Sequence, residues 1–311
     1  MKLESEKQKQ RNKLYYYSLK ASKISFKISN MSSSRKAIVN GDDFGFSTEV
    51  NQAILRAHDK GILTSTSLMV TGNSFEEAVA LAKTRPKLGV GLHLVLVCGK
   101  SVLEPEKIPH LVDENRNFPR DPVRAGLHYQ FNRAARQELR LEIRAQLEKF
   151  RQTGLQLSHV DGHLHLHCHP VVLENLAEFV DEFQINFVRL PYEELSLNLN
   201  FDRANLLTKV IWSSIFTSMR RYGENLLAPK GIGFAERVYG LLQTGKITEQ
   251  YLLHSLGKMK ADLIEIYSHP NLEGSGKIEL AALLSDRVRE TLHSNNFQLT
   301  NYNDLRMSEE K

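Results

Sequence analysis

The alternation of short apolar runs with stretches of helical period constrains this chain more than any other feature. From Lys36 onward, seven runs of strand character appear: Ala37–Asn40, Ser65–Val70, Val90–Val97, Leu157–Asp161, Asn186–Leu190, Gly231–Phe234 and Leu263–Ser268. Helical segments fall near Thr48–Lys60, Ser74–Thr84, Ala134–Thr153, Val171–Glu182, Arg203–Arg221, Thr248–Lys258 and Ile278–Ser294. This order predicts an α/β architecture with a largely parallel sheet, because a crossover helix must return the chain before each parallel strand begins. About seven such units suit a closed or nearly closed (β/α) barrel, with a doubly wound open sheet as the other arrangement the pattern allows. No internal repeat or low-complexity linker splits the body, so one domain is expected. Gly99–Gln130 holds four of the nine prolines and reads as a long insertion, of the kind that forms or covers active sites.

Charge separates the body from a tail. The 311 residues carry a net charge of +5, but residues 1–30 alone contribute eight Lys/Arg and two Asp/Glu. The remaining 281 residues hold 33 basic and 34 acidic groups. Clustered like charge marks a solvated or disordered segment, so residues 1–35 are expected to be a disordered basic extension and 36–305 the barrel. Met31, before Ser-Ser-Ser-Arg-Lys, is a candidate start of translation. A near-neutral body without aromatic–basic interleaving argues against a nucleic-acid partner, and any electrostatic attraction to a membrane is expected from the tail. Cys98 and Cys168 cannot make a disulfide framework, which fits a reducing, cytoplasmic address. No apolar run reaches the roughly 18 residues that cross a bilayer.

The most informative segment is Ser158–Pro170, SHVDGHLHLHCHP. In an extended chain, His159, Asp161, His163, His165, His167 and His169 would share one face, opposite Val160, Gly162, Leu164, Leu166 and Cys168. Five of the twelve histidines lie in these eleven residues. A His-rich tract binding metal adventitiously is the bland reading. The junction between a strand and a helix favours a site instead, as α/β folds place theirs there. One ion cannot take five imidazoles, so some must contact substrate or support the ligands.

A second cluster, Asn40-Gly41-Asp42-Asp43-Phe44-Gly45, follows an apolar run, where adjacent carboxylates can divide the holding of a metal and the acceptance of a proton. A helix-capping turn is the competing reading, weakened because Ser47 already offers a cap ahead of Val50 and Ile54. His93, in Gly89-Val90-Gly91-Leu92-His93, would alone be a core histidine. With one carboxylate and a second imidazole it completes a three-ligand site with open positions. Arg189-Leu190-Pro191-Tyr192 and Tyr267-Ser268-His269-Pro270 end two later strands and bring a guanidinium and a histidine to the same rim.

The ordered set GDDFG, GLHL, HVDGHLHLH, RLPY and YSHP closely resembles the YdjC-like (ChbG-type) carbohydrate deacetylases. TSTSLMVTGNS, GVGLHLVLVCGKSVLEPEKIPHLVD and EIRAQLEKFRQTGL are closer still to the hopanoid-biosynthesis-associated HpnK-type branch. The resemblance runs from about Lys36 to beyond His269. It implies an irregular (β/α) barrel of the glycoside hydrolase/deacetylase type that removes an acetyl group from an N-acetylated sugar. It also implies Asp43, His93 and His163 as metal ligands and Asp42 as the base. The branch implies an N-acetylglucosaminyl hopanoid, a sugar carried on a lipid, as substrate. Gly41, where the family commonly has alanine, is expected to loosen the turn slightly.

On that footing one divalent ion is expected, magnesium or zinc first, then manganese, iron or cobalt, although two imidazoles and a carboxylate suit magnesium less well. Asp42 would take a proton from water, and His269 would give one to the departing nitrogen, with His165 or His167 competing for that role. Arg189 would orient Asp42 or hold substrate, and Asp161, His165 and His167 would support the ligands or touch substrate. The alternatives are a chito-oligosaccharide such as chitobiose as substrate, a two-metal phosphoesterase or amidohydrolase, and an inactive sugar- or lipid-binding barrel. The apolar stripe of Ala204–Tyr222 is expected to pack inward, with a membrane-facing helix as the other reading. Peripheral contact with the inner membrane face and a homodimer are compatible with all of this.

Overall fold

A computed structural model describes residues 34–309. The expected extension therefore lies outside the described residues, except Ser34 and Arg35, and Arg35 is already part of the barrel. Its guanidinium donates to the Ala261 carbonyl and lies 4.0 Å above the Phe297 ring.

Seven strands form one sheet: β1 (Arg35–Phe44), β2 (Ser65–Leu68), β3 (Gly89–Leu94), β4 (Leu157–Gly162), β5 (Arg237–Tyr239), β6 (Leu263–Ser268) and β7 (Phe297–Thr300). All their pairings are parallel, in the order β4-β3-β2-β1-β6-β5. β1 is the axis of the sheet, and its Ala37, Ile38 and Val39 are fully buried. One edge of β1 pairs with β6 over Lys36–Gly41. The other edge is shared, by β7 over Arg35–Ile38 and by β2 from Asn40 onward.

The two outer strands are joined through irregular chain. Val188 bridges Val160 of β4, Phe187 bridges Gly233, and the chain runs on from Gly233 into β5. The result is a curled parallel sheet with helices outside it, the irregular (β/α) barrel that the family resemblance implies and one of the two arrangements that the strand-helix order allows. Asn186–Leu190 and Gly231–Phe234, expected as strands, supply only single bridges. The Phe187 ring sits over Gly233, where a Cβ would come within 2.5 Å of it. β5 and β7 are short and half polar, and neither coincides with an expected run.

Eleven α-helices are described: α1 (Thr48–Lys60), α2 (Phe75–Lys83), α3 (Pro122–Phe131), α4 (Arg133–Gln152), α5 (Pro170–Phe183), α6 (Leu195–Phe201), α7 (Leu206–Leu227), α8 (Glu249–Leu256), α9 (Gly276–Leu283), α10 (Asp286–Ser294) and α11 (Tyr302–Glu309). Ser47 caps α1 as expected, its hydroxyl accepting from the Val50 amide, and Val50 and Ile54 are buried. The single helix expected over Ile278–Ser294 is two, because Ser285 caps a new start and accepts from the Val288 amide.

The proline-rich insertion contains α3 and is fastened by one face of α4. Glu138, Glu142 and Gln146, one helical turn apart, are buried and polar. Glu138 accepts from the His110 amide, Glu142 from the Val102 and Leu103 amides, and Gln146 bonds both backbone groups of Val95. These side chains tie down a loop whose own backbone pairing is one short antiparallel bridge, Lys100 to Asn117.

The apolar stripe of α7 does not pack inward as expected. Leu206, Leu207, Val210, Ile211, Trp212 and Ile215 are exposed, whereas Lys209 and Arg220 are buried. The buried cations serve the loops beneath: Lys209 donates to the Asp202 carbonyl, and Arg220 to the Leu190 and Ala235 carbonyls. Among the described residues, no helix is long and apolar enough to cross a membrane.

Candidate metal centre

The site is assembled at the C-terminal ends of β1, β3 and β4. β1 carries a bulge between Gly41 and Phe44, and Asp43 adopts φ 65°, a left-handed conformation that costs a non-glycine residue of order 1 kcal/mol. The Asp43 carboxylate lies 3.0 Å from His163 Nδ1 and 3.2 Å from His93 Nε2. The ligand atoms of Asp43, His93 and His163 all lie within 4.8 Å of one another.

Those three residues fit a divalent cation. His93 Nδ1 lies 2.8 Å from Asp161 Oδ1 and 3.1 Å from Ser67 Oγ, which fixes the ring and turns Nε2 toward Asp43. That nitrogen is buried and makes no hydrogen bond. A carboxylate behind a ligating imidazole is the usual means of orienting it. Burial opposes charge on His93, but the Asp161 and Asp43 carboxylates carry its pKa up to about 10. Burial likewise opposes ionisation of Asp43, and the neighbouring His163 and His93 imidazoles outweigh it, holding its pKa well below the usual range. A cation would take the place of the proton on His93 Nε2.

Beneath this set lies a fully buried guanidinium. Arg189 donates to both oxygens of Asp42 at 2.7 and 2.8 Å, and lies 2.8 Å from Asp161 Oδ2 and from Glu265 Oε1. Glu265 accepts in turn from Tyr302 Oη at 2.6 Å, and the Tyr302 ring stacks on His159. Burial works against the charge on Arg189, and three carboxylates restore it and raise its pKa. Arg189 is thus fully buried, with its guanidinium engaged by Asp42, Asp161 and Glu265. Asp161 is equally buried and belongs to this support.

The histidine row does not form. β4 ends at Gly162, and His163–Cys168 winds into 3₁₀ turns with Leu164 at φ 50° and His165 at φ 56°. The reversal sends each imidazole elsewhere. His163 faces Asp43, while His165 Nε2 lies 2.8 Å from Tyr267 Oη, itself 3.0 Å from Thr244 Oγ1. His167 Nε2 meets the Arg189 carbonyl at 2.8 Å, and burial lowers its pKa to about 4. His159 is buried behind Asp161, and a Cβ on Gly91 would come within 2.4 Å of its ring. His269, partly exposed, places Nε2 4.0 Å from Asp42 Oδ2.

Gly41 does not loosen a turn. It lies in β1, paired with Thr66 and Ser268, and a Cβ there would come within 2.8 Å of Leu63 Cδ1. Asn40, Ser67, Glu265 and Tyr302 are site residues that sequence reasoning missed. Asn40 donates to Asp42 Oδ1 at 2.8 Å and to Ser67 Oγ at 3.3 Å. Glu265 carried a signal, a lone acid inside the apolar run Leu-Ile-Glu-Ile-Tyr. A cleft of about 850 Å³ is lined by Phe46, Met69 and Asn73 together with Lys100, Leu111 and Phe118 of the insertion, and the Phe46 amide donates to the Asp43 carbonyl.

Fold and site together define a parallel α/β barrel with a one-carboxylate, two-imidazole centre at its C-terminal rim. The chain belongs to the YdjC-like protein family, whose family model matches residues 36–294. It is 33% identical over 283 residues to a carbohydrate deacetylase of Brevibacillus brevis, covering 87% of this chain and 99% of that one. A carbohydrate deacetylase of Clostridium beijerinckii is 30% identical over 284 residues, covering 87% of this chain and all of that one. A crystal structure from Enterococcus faecalis, described as a candidate cellobiose-phosphate cleavage protein, superposes with a TM-score of 0.69 at 24% identity. It covers 88% of this chain and 99% of that one, and shows the shared fold.

Proposed function

We propose that this protein is a metal-dependent hydrolase that removes the N-acetyl group from an N-acetylated amino sugar. The convergence of Asp43, His93 and His163, with Asp42 held beside them, carries this reading. Family membership and the curated carbohydrate deacetylases among the relatives support it. A divalent ion on the three ligands would polarise the amide carbonyl and acidify a water. The Arg189 fork and Asn40 keep the Asp42 carboxylate aimed at the rim, where it accepts the proton of the attacking water. His269, partly exposed and 4.0 Å from Asp42 Oδ2, delivers a proton to the departing sugar nitrogen. His165 and His167 are weaker donors because burial disfavours their protonated forms. Asp161 fixes His93, and His167 holds the backbone of Arg189.

Within that class we assign N-acetylglucosaminyl hopanoid as the substrate, on the motifs shared with the hopanoid-associated branch, and place the protein in the cytoplasm at the inner membrane face. Chito-oligosaccharides such as chitobiose are the second reading, favoured by the cleft that opens at Phe46, three residues beyond Asp43. The deciding assay measures acetate release from both substrates by protein loaded with defined metals. The expected result is metal-dependent release with one ion per chain, abolished by Asp43→Ala and by His163→Ala. Two ions per chain, or unchanged turnover in either variant, would overturn the reading in favour of a two-metal hydrolase or a different centre.

A further inference from the structure

We infer that the rim around the metal centre is a docking surface for an anionic lipid bilayer, formed by α3, the turn at Leu164 and the N-terminal half of α7. Three observations converge on it. The first is the exposure of apolar side chains on both helices. On α3, Val123, Leu127 and Phe131 follow one another at helical spacing, and Phe131 is 79% exposed. On α7, Leu206, Leu207, Val210, Ile211, Trp212 and Ile215 are all exposed, Leu207 at 73%. Contiguous exposed apolar surface of this kind marks an interaction site.

The second is continuity with the centre. Both helices pack against the His163–Cys168 turn, whose Leu164 is itself exposed. Just past the exposed half of α7, Phe216 is buried, its ring centroid 5.6 Å from that of His165. Both apolar helices are therefore joined through the turn that begins with His163.

The third is charge. Arg120, Arg124, Arg133 and Arg203 flank these apolar groups, are exposed, and make no ion pair among the described residues. Asp121 is engaged as the cap of α3, and Asp202 is taken by Lys209. The outer face of α4 differs, pairing Arg140 with Glu178 and Arg144 with Glu182. Apolar helices edged by unpaired arginines, with a tryptophan among them, match the physics of binding an anionic membrane surface. This deepens the glycolipid reading by naming where the bilayer would sit, but it is read out without turnover.

The experiment uses the full chain and its only tryptophan, Trp212, which is 38% exposed. Vesicles of phosphatidylcholine with phosphatidylglycerol are added, with matched vesicles carrying brominated acyl chains. Docking predicts a blue shift of Trp212 emission and quenching by the brominated lipid, both weakened by salt and by omitting phosphatidylglycerol. Leu207→Asp with Ile211→Asp should lower vesicle partition by about tenfold or more, as expected when the apolar face is lost. Acetate release from a soluble N-acetylated sugar should not change in that variant, which also shows that it folds. Co-sedimentation with no change at Trp212 would assign the attraction to the basic tail and overturn the proposal. So would a dimer in light scattering that the double variant dissociates, because a second copy would then cover the face. Failure of vesicle binding with intact deacetylation would remove this proposal alone.

Discussion

Arg189 joins three carboxylates that would repel one another without it. Its planar fork meets Asp42 through two nitrogens while one of them also reaches Asp161 and Glu265. An ammonium cannot reproduce that geometry. Arg189→Met should cost about 3–5 kcal/mol in urea unfolding, because it leaves buried carboxylates unpaired. Arg189→Lys should lose less stability but most of the turnover, since Asp42 is no longer held on two sides. Tyr267 is a positioning residue of a gentler kind. Its ring lies 4.8 Å from the Arg189 guanidinium, and its hydroxyl joins Thr244 to His165. Tyr267→Phe keeps the ring and removes both of these hydrogen bonds. It should lower kcat by roughly tenfold with little change in KM, in line with about 1 kcal/mol for such a bond. A KM effect of the same size would instead place the hydroxyl in substrate binding.

At the scale of elements, what the sequence showed and what it hid divide by where hydrogen bonds go. β1, β2, β3, β4 and β6 were legible because buried parallel strands read as apolar runs. Asp43, His93 and His163 of the candidate centre lie at or just past the ends of those runs, where the sequence draws attention to carboxylates and imidazoles, His93 only in combination; the choice of these three came from the family resemblance. The histidine row was misread, because strict alternation holds only while the chain stays extended. Nothing in Leu164 or His165 announces a left-handed turn, and it is this turn that separates His163 from His165 and His167. α3 was hidden because its start depends on a local cap, Asp121 with Pro122, inside a stretch dominated by proline. The role of α4 was hidden for a similar reason, as Glu138, Glu142 and Gln146 look like a solvated face until the loop they fasten is seen. Glu142→Ala should therefore cost about 1–3 kcal/mol, because the Val102 and Leu103 amides lose their acceptor. Hydrogen exchange should speed up at those two amides. KM should rise more than kcat falls, since the freed loop lines the cleft and does not carry the ligands.

Taken as a whole, the molecule closes its barrel with polar side chains where the ladder runs out. The stretch after Arg189 is fastened to β5 and the turn beyond it by three neighbours in sequence. Tyr192 bridges Val238, Glu194 accepts from Arg237 and Tyr239, and buried Glu193 accepts from the Leu242 amide and from Asn198. Burial raises the pKa of Glu193 from 4.5 to about 7, against the hydrogen bonds that favour its charged form. The folded state thus binds this proton more tightly than the unfolded chain does. The stabilisation it brings is complete below pH 4.5 and is lost as the pH rises through about 7. A shift of that size corresponds to at most about 3 kcal/mol. Replacing Glu193 with Gln removes the titration and keeps one acceptor oxygen. The melting temperature of Glu193→Gln relative to the parent should accordingly rise between pH 5 and pH 8. A difference between the two proteins that stays constant over that range would mean that Glu193 is ionised throughout, and that the tie across the closure is an ordinary carboxylate with no proton to lose.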